Sequence, residues 1–427
     1  ERIADNISDF DGLIKKLSVT LDDNSFDDYS KKLKENDWTF DPKLVCNVGH
    51  FISDYLRTNT DKGQLELEWS KILKTNWDKM ANSSGLRYKK DSKLFFGQKG
   101  YYIVYEDIIR NSDTMNKLKE IINSDKTDFE KKRMLDELNQ TFATKIKENP
   151  LKEVLVHVVD KVQRAGGREI YVMDLETKLH QQPIEKFFGY LCKLLPNEII
   201  SVPSSKRTMT VHSEVFEKQI LGDAYYLVFD CSKWAPKALI AKYVLMVSCM
   251  TDILPESFIT HFMNFFSLYH EKKVITRKSI VDLMTKNYRH SKYKKYFQSL
   301  EHCSDAEFFI MIYSFLMGLF NFLSSFFHAA NQLYNQHIIK QHFLRKPIQS
   351  RTLVQLTTFA HSDDSAGKII VNNRETFLQS IFIYEVLLKS CNHILSIKKS
   401  NCGKKYFEFI SILYINKTLT PLTAKFV

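Results

Sequence analysis

TFAHSDDSAGKIIV, residues 358–371, decides how the chain is read. An apolar run stops at Ser362-Asp363-Asp364, passes Gly367, and resumes as Ile369-Ile370-Val371. Two β-prone segments around a short polar tip predict a hairpin with adjacent carboxylates at its turn. AYYLVFD (224–230) predicts a second buried strand, and it too ends in an acid, Asp230. If the two strands are neighbours, three carboxylates converge. Unpaired, they repel and their pKa values rise, a conflict that a pair of divalent cations removes. Magnesium prefers a few carboxylate oxygens plus substrate phosphates. Two such ions can hold the attacking and leaving oxygens of an in-line displacement. On its own Ser-Asp-Asp is ordinary turn chemistry, so the pattern gains meaning only from its company.

At 427 residues the chain has room for a large core and two or three subdomains. A formal net charge of +11 favours a polyanionic partner, nucleic acid or an acidic membrane face. Cysteines 46, 192, 231, 249, 303, 391 and 402 are scattered, with no Cys-x-x-Cys pair and no His at zinc-ligand spacing. That argues against a structural zinc and for a reducing compartment. There is no secretory signal, and the opening residue is Glu1, as expected of a piece of something longer. Phe308 to Asn335 carries no Lys, Arg, Asp or Glu and is long enough to cross a bilayer. Gly318, Asn321, Ser324, Ser325 and His328 crowd its middle, however, and no basic flank orients it. The expectation is a buried core helix with a polar functional stripe.

Residues 1–80 read as mostly helical, followed by a short strand pair around LFFGQKGYYIVYEDI (94–108). Residues 113–148 read as a charged helical stretch stopped by Pro150. LKEVLVHVVDKVQRAGGREIYVMDLETKLHQQPIEKFFGYLCKLL (151–195) then gives a strand, a basic Gly-containing loop, a strand and a helix. ALIAKYVLMVSCM (238–250) has helical spacing, and 255–305 read as helical and basic. The finish, from Lys398, is a turn followed by a β-ribbon. The fold class is α+β.

The unusual pieces fall in a definite order: KVQRAGGREIYV (161–172), FDCSKW (229–234), GLFNFLSS (318–325), HSDD (361–364), SIKKS (396–400) and FEFIS (407–411). That order resembles the polymerase motifs of segmented negative-strand RNA viruses, a basic pre-A loop and then A to E. The D-x-x-K-W, Ser-Asp-Asp and E-F-x-S forms look most like the bunyavirus L protein family. SGLRYKKDSK (84–93), with Arg87-Tyr88, is similar to the template-side motif G. The likeness runs from about residue 84 to 425. One departure is Met317, where the family usually carries Gln before the Gly.

The resemblance implies a right-hand polymerase with an antiparallel palm sheet. Fingers, with motif G and the pre-A loop, would span 1–220, and motif A of the palm 221–240. A helical fingers insertion would take 241–310 and palm motifs B to E 311–427, with the thumb absent or truncated. The implied activity is RNA-directed RNA synthesis by two ions, Mg2+ or Mn2+, held chiefly by Asp230 and Asp363, with Asp364 beside them and Glu408 approaching from motif E. Lys161, Arg164 and Arg168 would neutralise the triphosphate, where guanidinium forks suit phosphate oxygens. Gly318, Asn321, Ser324 and Ser325 would line the nucleotide pocket and read the ribose 2′-OH. Lys233 would touch a phosphate, Trp234 would pack, and Lys398 or Lys399 would offer a proton to pyrophosphate. Implied partners are template and product RNA, nucleoside triphosphates, nucleoprotein-coated viral RNA and the rest of the L protein, in host cytoplasm and virion.

KNYRHSKYKKYF (286–297) interleaves cations with aromatics, as an RNA-tracking surface would. Other classes stay open at this point. A non-catalytic RNA-binding scaffold would use the acids structurally. A membrane protein built on 308–330 would need detergent. A reverse transcriptase would carry an aromatic pair where His361-Ser362 stands.

Overall fold

The protein is seen as a computed structural model. It describes residues 37–77, 84–89, 94–99, 112–138, 140–161, 168–217, 223–232, 234–276, 301–302, 307–311, 314–316, 318–346, 352 and 354–420.

Helix α1 (Pro42–Arg57) starts where the Asp41 side chain accepts from the Leu44 amide, with Pro at the first helical position. A further helix covers Lys62–Leu73. Strand β1 (Ser84–Lys89) pairs antiparallel with β2 (Leu94–Lys99). Of the strand pair expected near 94–108, β2 is present and pairs with the upstream SGLRYK segment, while residues 100–108 lie outside the described residues. The charged stretch from 113 forms three short helices, Ser112–Asn123, Asp128–Leu138 and Phe142–Glu148. Strands β3 (Leu155–Lys161) and β4 (Arg168–Met173) make the hairpin expected around the basic loop, and α2 (Leu175–Cys192) follows, capped by Asp174.

After β5 (Asp223–Asp230) come α3 (Ile240–Ser248) and α4 (Glu256–Tyr269). Residues 255–305 are not all helical: β6 (Lys272–Thr276) and β7 (Glu301–His302) interrupt them. The expected helix over 308–335 is also corrected. Residues Glu307–Met311 form β8, Ser314 and Leu316 take left-handed backbone (φ 69 and 54), and α5 runs only from Asn321, reaching Leu344. An apolar run does not by itself tell a buried strand from a buried helix. No helix among the described residues is long and apolar enough to cross a membrane.

Sheet β4-β3-β6-β8-β7 is mixed, with β3 and β6 parallel. A second sheet, of order β11-β5-β10-β9, contains the hairpin β9 (Val354–His361) and β10 (Asp364–Val371), with β11 (Asn401–Gly403) at its edge. All its pairings are antiparallel. Helix α6 (Arg374–Ser390) follows the hairpin, and β12 (Tyr406–Phe409), β13 (Ile412–Ile415) and β14 (Thr418–Thr420) form the expected ribbon.

Both faces of the second sheet are covered. Leu227 and Phe229 pack with Ile339 and Phe343 of α5 and Tyr384 of α6. Tyr226 and Ala366 pack with Phe407 and Tyr414 of the ribbon. That explains why β5 and β10 read as near-continuous apolar runs. The largest core joins α2, α4 and α5 through Phe187, Phe188, Phe258, Phe262, Phe266 and Phe326. Each such ring contributes roughly 2–3 kcal/mol by leaving water. Helix α5 is thereby locked between this core and the sheet, with its first turns under the β9–β10 tip.

Candidate active site

Asp230 ends β5, Asp364 begins β10, and the two are direct partners in register. Asp363 sits in the turn between β9 and β10, after Ser362 in left-handed conformation at φ 57. The Cys231 amide donates to the Asp363 carbonyl at 3.3 Å, tying the end of β5 to that turn. Burial, and then the charge of Asp230, push the Asp363 carboxyl above its ordinary range. Asp364 rises to about 6, first from burial and then from Asp363 and Asp230, with a smaller push from Glu408. Crowded, partly desolvated carboxylates of this kind attract cations.

One cation is already there. Lys399 Nζ donates to Asp230 Oδ2 at 2.7 Å. Its turn is laced to the strand end: the Ser396 amide donates to the Asp230 carbonyl (2.8 Å) and the Ser232 amide to the Ile394 carbonyl (2.7 Å). Glu408 lies on β12 and accepts from the Tyr406 hydroxyl. Among the described residues no group of three His, Cys, Asp or Glu side chains stands close enough together to hold a metal ion. The donor set nevertheless suits a hard divalent cation, since it offers carboxylate oxygens alone, from two strands and their turn.

Beneath the tip, α5 meets the turn directly. The Ser362 amide donates to Ser325 Oγ at 3.2 Å, and Ser325 Oγ donates to Glu198 Oε1 at 2.5 Å. Glu198 also accepts from the amides of Ile200 (2.8 Å) and Ser201 (2.9 Å). His328 Nδ1 lies 2.7 Å from the Ser362 carbonyl, and Gln332 Nε2 lies 3.2 Å from His328 Nε2. An amide nitrogen only donates, so His328 Nε2 accepts and its proton sits on Nδ1, aimed at that carbonyl. Burial pushes His328 down to about 4, which leaves it neutral near pH 7. Trp234 stacks on His393 with centroids 4.9 Å apart, the packing role expected of it.

Gly318 (φ +92) is exposed, and a Cβ there would meet Ile170 of β4 at 3.5 Å. The hairpin whose end positions Lys161 and Arg168 are register partners thus abuts the loop before α5. Asn321 is exposed at the start of α5. Glu185 of α2 caps that helix, accepting from the amides of Phe322 (2.7 Å) and Leu323 (3.4 Å). Ser324 and Ser325 are buried, the first donating to the Asn321 carbonyl at 3.1 Å and the second to Glu198. As placed, Gly318 and Asn321 are exposed, while the serine hydroxyls are engaged within the protein. Lys398 is exposed beside Lys399. Arg87 and Tyr88 are on β1 opposite Phe96 and Phe95. Arg164, Lys233 and residues 286–297 lie outside the described residues.

Sequence reasoning does not single out Glu198, Gln332 and Glu185, and it finds His328 only as a member of the polar stripe, with no role assigned. An acid inside apolar PNEIISVP and a His inside an uncharged run were the only signals available.

Comparison with known proteins gives the family. The family described as Bunyavirus RNA dependent RNA polymerase matches residues 62–420. Similar relatives include the RNA-directed RNA polymerase L of European mountain ash ringspot-associated virus, 21% identical over 62% of this chain and 12% of its own length. That of Uukuniemi virus is 25% identical over 60% of this chain and 13% of its own length. That of Sabia mammarenavirus is 26% identical over 62% and 13%. The chain thus matches only a small part of each relative. With most of its length matched in order, and two acid-bearing strands joined in register, the chain belongs to the bunyavirus RNA-dependent RNA polymerase family.

Proposed function

We propose that this chain is the core of an RNA-directed RNA polymerase of a segmented negative-strand RNA virus, performing nucleotidyl transfer for genome replication and transcription. The observation that carries the reading is the in-register pairing of Asp230 with Asp364, with Asp363 beside them in the turn that joins β9 to β10. Asp230 and Asp363 are the principal holders of two divalent ions, Mg2+ or Mn2+, with Asp364 tuning charge and Glu408 approaching from the ribbon. Bound there, such ions supply charge neutralisation at the α-phosphate and activation of the primer 3′-hydroxyl.

The chain's own groups do the rest. Lys161, Arg164 and Arg168 hold the triphosphate, with Lys233 on a phosphate oxygen. Gly318 and Asn321 contact the incoming nucleotide, and Ser324 and Ser325 support that pocket from below. Lys398 or Lys399 delivers a proton to the departing pyrophosphate. Arg87 and Tyr88 guide template RNA. The arrangement is a right hand, with fingers over 1–220, motif A at 221–240, a fingers insertion over 241–310 and palm motifs over 311–427. Its working partners are template and product RNA, nucleoside triphosphates, nucleoprotein-coated RNA and the remaining parts of the L protein, in host cytoplasm and virion.

Asp363→Asn in the full-length polymerase carrying this chain is expected to abolish RNA synthesis while leaving promoter RNA binding intact. Retained synthesis refutes the reading. A non-catalytic scaffold, by contrast, would show no Mn2+-dependent thermal stabilisation, in the native protein or in Asp230→Ala.

A further inference from the structure

We propose that Ser325 and His328 are positioning residues that grip both main-chain polar groups of Ser362 and so aim the Asp363 carboxylate. The proposal rests on the polymerase reading of the site.

Ser362 has left-handed backbone, which costs a non-glycine residue about 1–2 kcal/mol unless its surroundings hold it there. Two side chains one turn apart on α5 do so. Ser325 Oγ accepts from the Ser362 amide, and His328 Nδ1 donates to the Ser362 carbonyl. That carbonyl belongs to the peptide joining Ser362 to Asp363. Fixing the plane of this peptide fixes the direction in which Asp363 leaves the turn.

The grip is itself anchored at both ends. Glu198 accepts the hydrogen bond from the Ser325 hydroxyl and is fastened by two amides of its own loop. That loop is stitched to β9 next to the turn, with the Ile199 amide on the Ala360 carbonyl (2.9 Å) and the Ala360 amide on the Asn197 carbonyl (2.8 Å). Asn197 reaches back to α5, donating to the Ala329 carbonyl at 3.0 Å. Gln332 fixes the His328 tautomer. Ser325, His328, Gln332 and Glu198 are all buried, so water cannot replace any of these bonds cheaply. A buried network that ends on both main-chain groups of one turn residue beside the candidate metal ligands resembles the outer-shell support that orients ligands elsewhere.

The test uses the full-length polymerase, with Mn2+ titrated by thermal shift and steady-state kcat and KM measured for nucleotide. His328→Phe keeps a ring but removes the donor, while His328→Asn places an amide N–H near the former Nδ1–H. Ten- to hundredfold weaker Mn2+ binding is expected for His328→Phe, as for outer-shell losses generally, with kcat lowered and template affinity unchanged. His328→Asn should fall within about threefold of the native protein by the same measure. If His328→Phe fails to fold, Ser325→Ala serves, with a Mn2+ midpoint raised about tenfold. A native midpoint in Ser325→Ala and His328→Phe overturns the clamp, and so does equal loss in His328→Phe and His328→Asn. Absence of any Mn2+ response in the native protein, together with synthesis by Asp363→Asn, would remove the polymerase reading and the clamp with it.

Discussion

Asp230 and Asp364, far apart in the chain, face each other as direct cross-strand partners at the open end of an antiparallel pair. Like charges in that position destabilise a sheet. Burial makes the cost larger, as the raised carboxyls of Asp363 and Asp364 record. An arrangement that works against stability is expected where a bound cation is to be held.

Lys399 competes for that role, since its ammonium lies on Asp230 Oδ2 at 2.7 Å. A pair whose lysine is exposed is worth about 0.5–1 kcal/mol. Lys399→Ala should therefore lower the Mn2+ midpoint by roughly threefold in a thermal-shift titration. On the proposed role of Lys398 or Lys399 as a proton donor to pyrophosphate, RNA synthesis by the same variant should nevertheless slow. An unchanged midpoint would show that the pair does not oppose metal binding.

Gly367 lies in the middle of β10, and a Cβ there would come within 2.0 Å of the Thr357 carbonyl oxygen and 2.8 Å of Thr358 Cα. Both obstacles are backbone of the neighbouring strand. Gly367→Ala should push β9 away and cost about 3 kcal/mol or more, read as a fall in Tm. A native Tm would mean that the strands approach less closely than this.

Lys242 is wholly buried beside Trp234, Tyr243 and Phe327, donating to the carbonyls of Cys391 and Asn392 at 3.3 Å. Burial lowers its pKa from 10.5 to about 7. Between those values the unfolded chain binds the extra proton, so this residue makes stability rise with pH across that window. Denaturation of Lys242→Met should show a flatter profile. The gap to the native protein should move in the native protein's favour by a few kcal/mol, roughly, between pH 7 and 10. Parallel profiles would place the lysine's proton elsewhere.

Ser362→Gly offers a finer probe. Glycine accepts left-handed backbone without steric cost, and both bonds to α5 use main-chain atoms of residue 362. Stability should hold or rise by about 1 kcal/mol, with the Mn2+ midpoint unchanged. Ser362→Val should lose stability, because a β-branched residue resists that conformation. Equal behaviour of the two variants would dissociate the turn's strain from its side chain.

Much of the fold was legible because local pattern and tertiary demand agree. Strands β5, β9 and β10 announce themselves as apolar runs with polar ends, and the closing ribbon by its alternation. The start of α5 was misread because Ser314 and Leu316 break the apolar run by left-handed backbone, with no Gly or Pro to mark the first break. The acids were legible as strand-end residues. The support beneath them was not: Glu198, Ser325 and His328 come from separate stretches and meet Ser362 only through packing of α5 under the sheet. Residue type alone does not reveal that the Ser325 hydroxyl is engaged by Glu198.

The most direct test is anomalous X-ray scattering from crystals of the polymerase soaked in Mn2+. The expected result is a peak about 2–2.5 Å from carboxylate oxygens of both Asp230 and Asp363, with Lys399 displaced. An ion bound only by Asp364 or Glu408, with residues 230 and 363 left unligated, would contradict it.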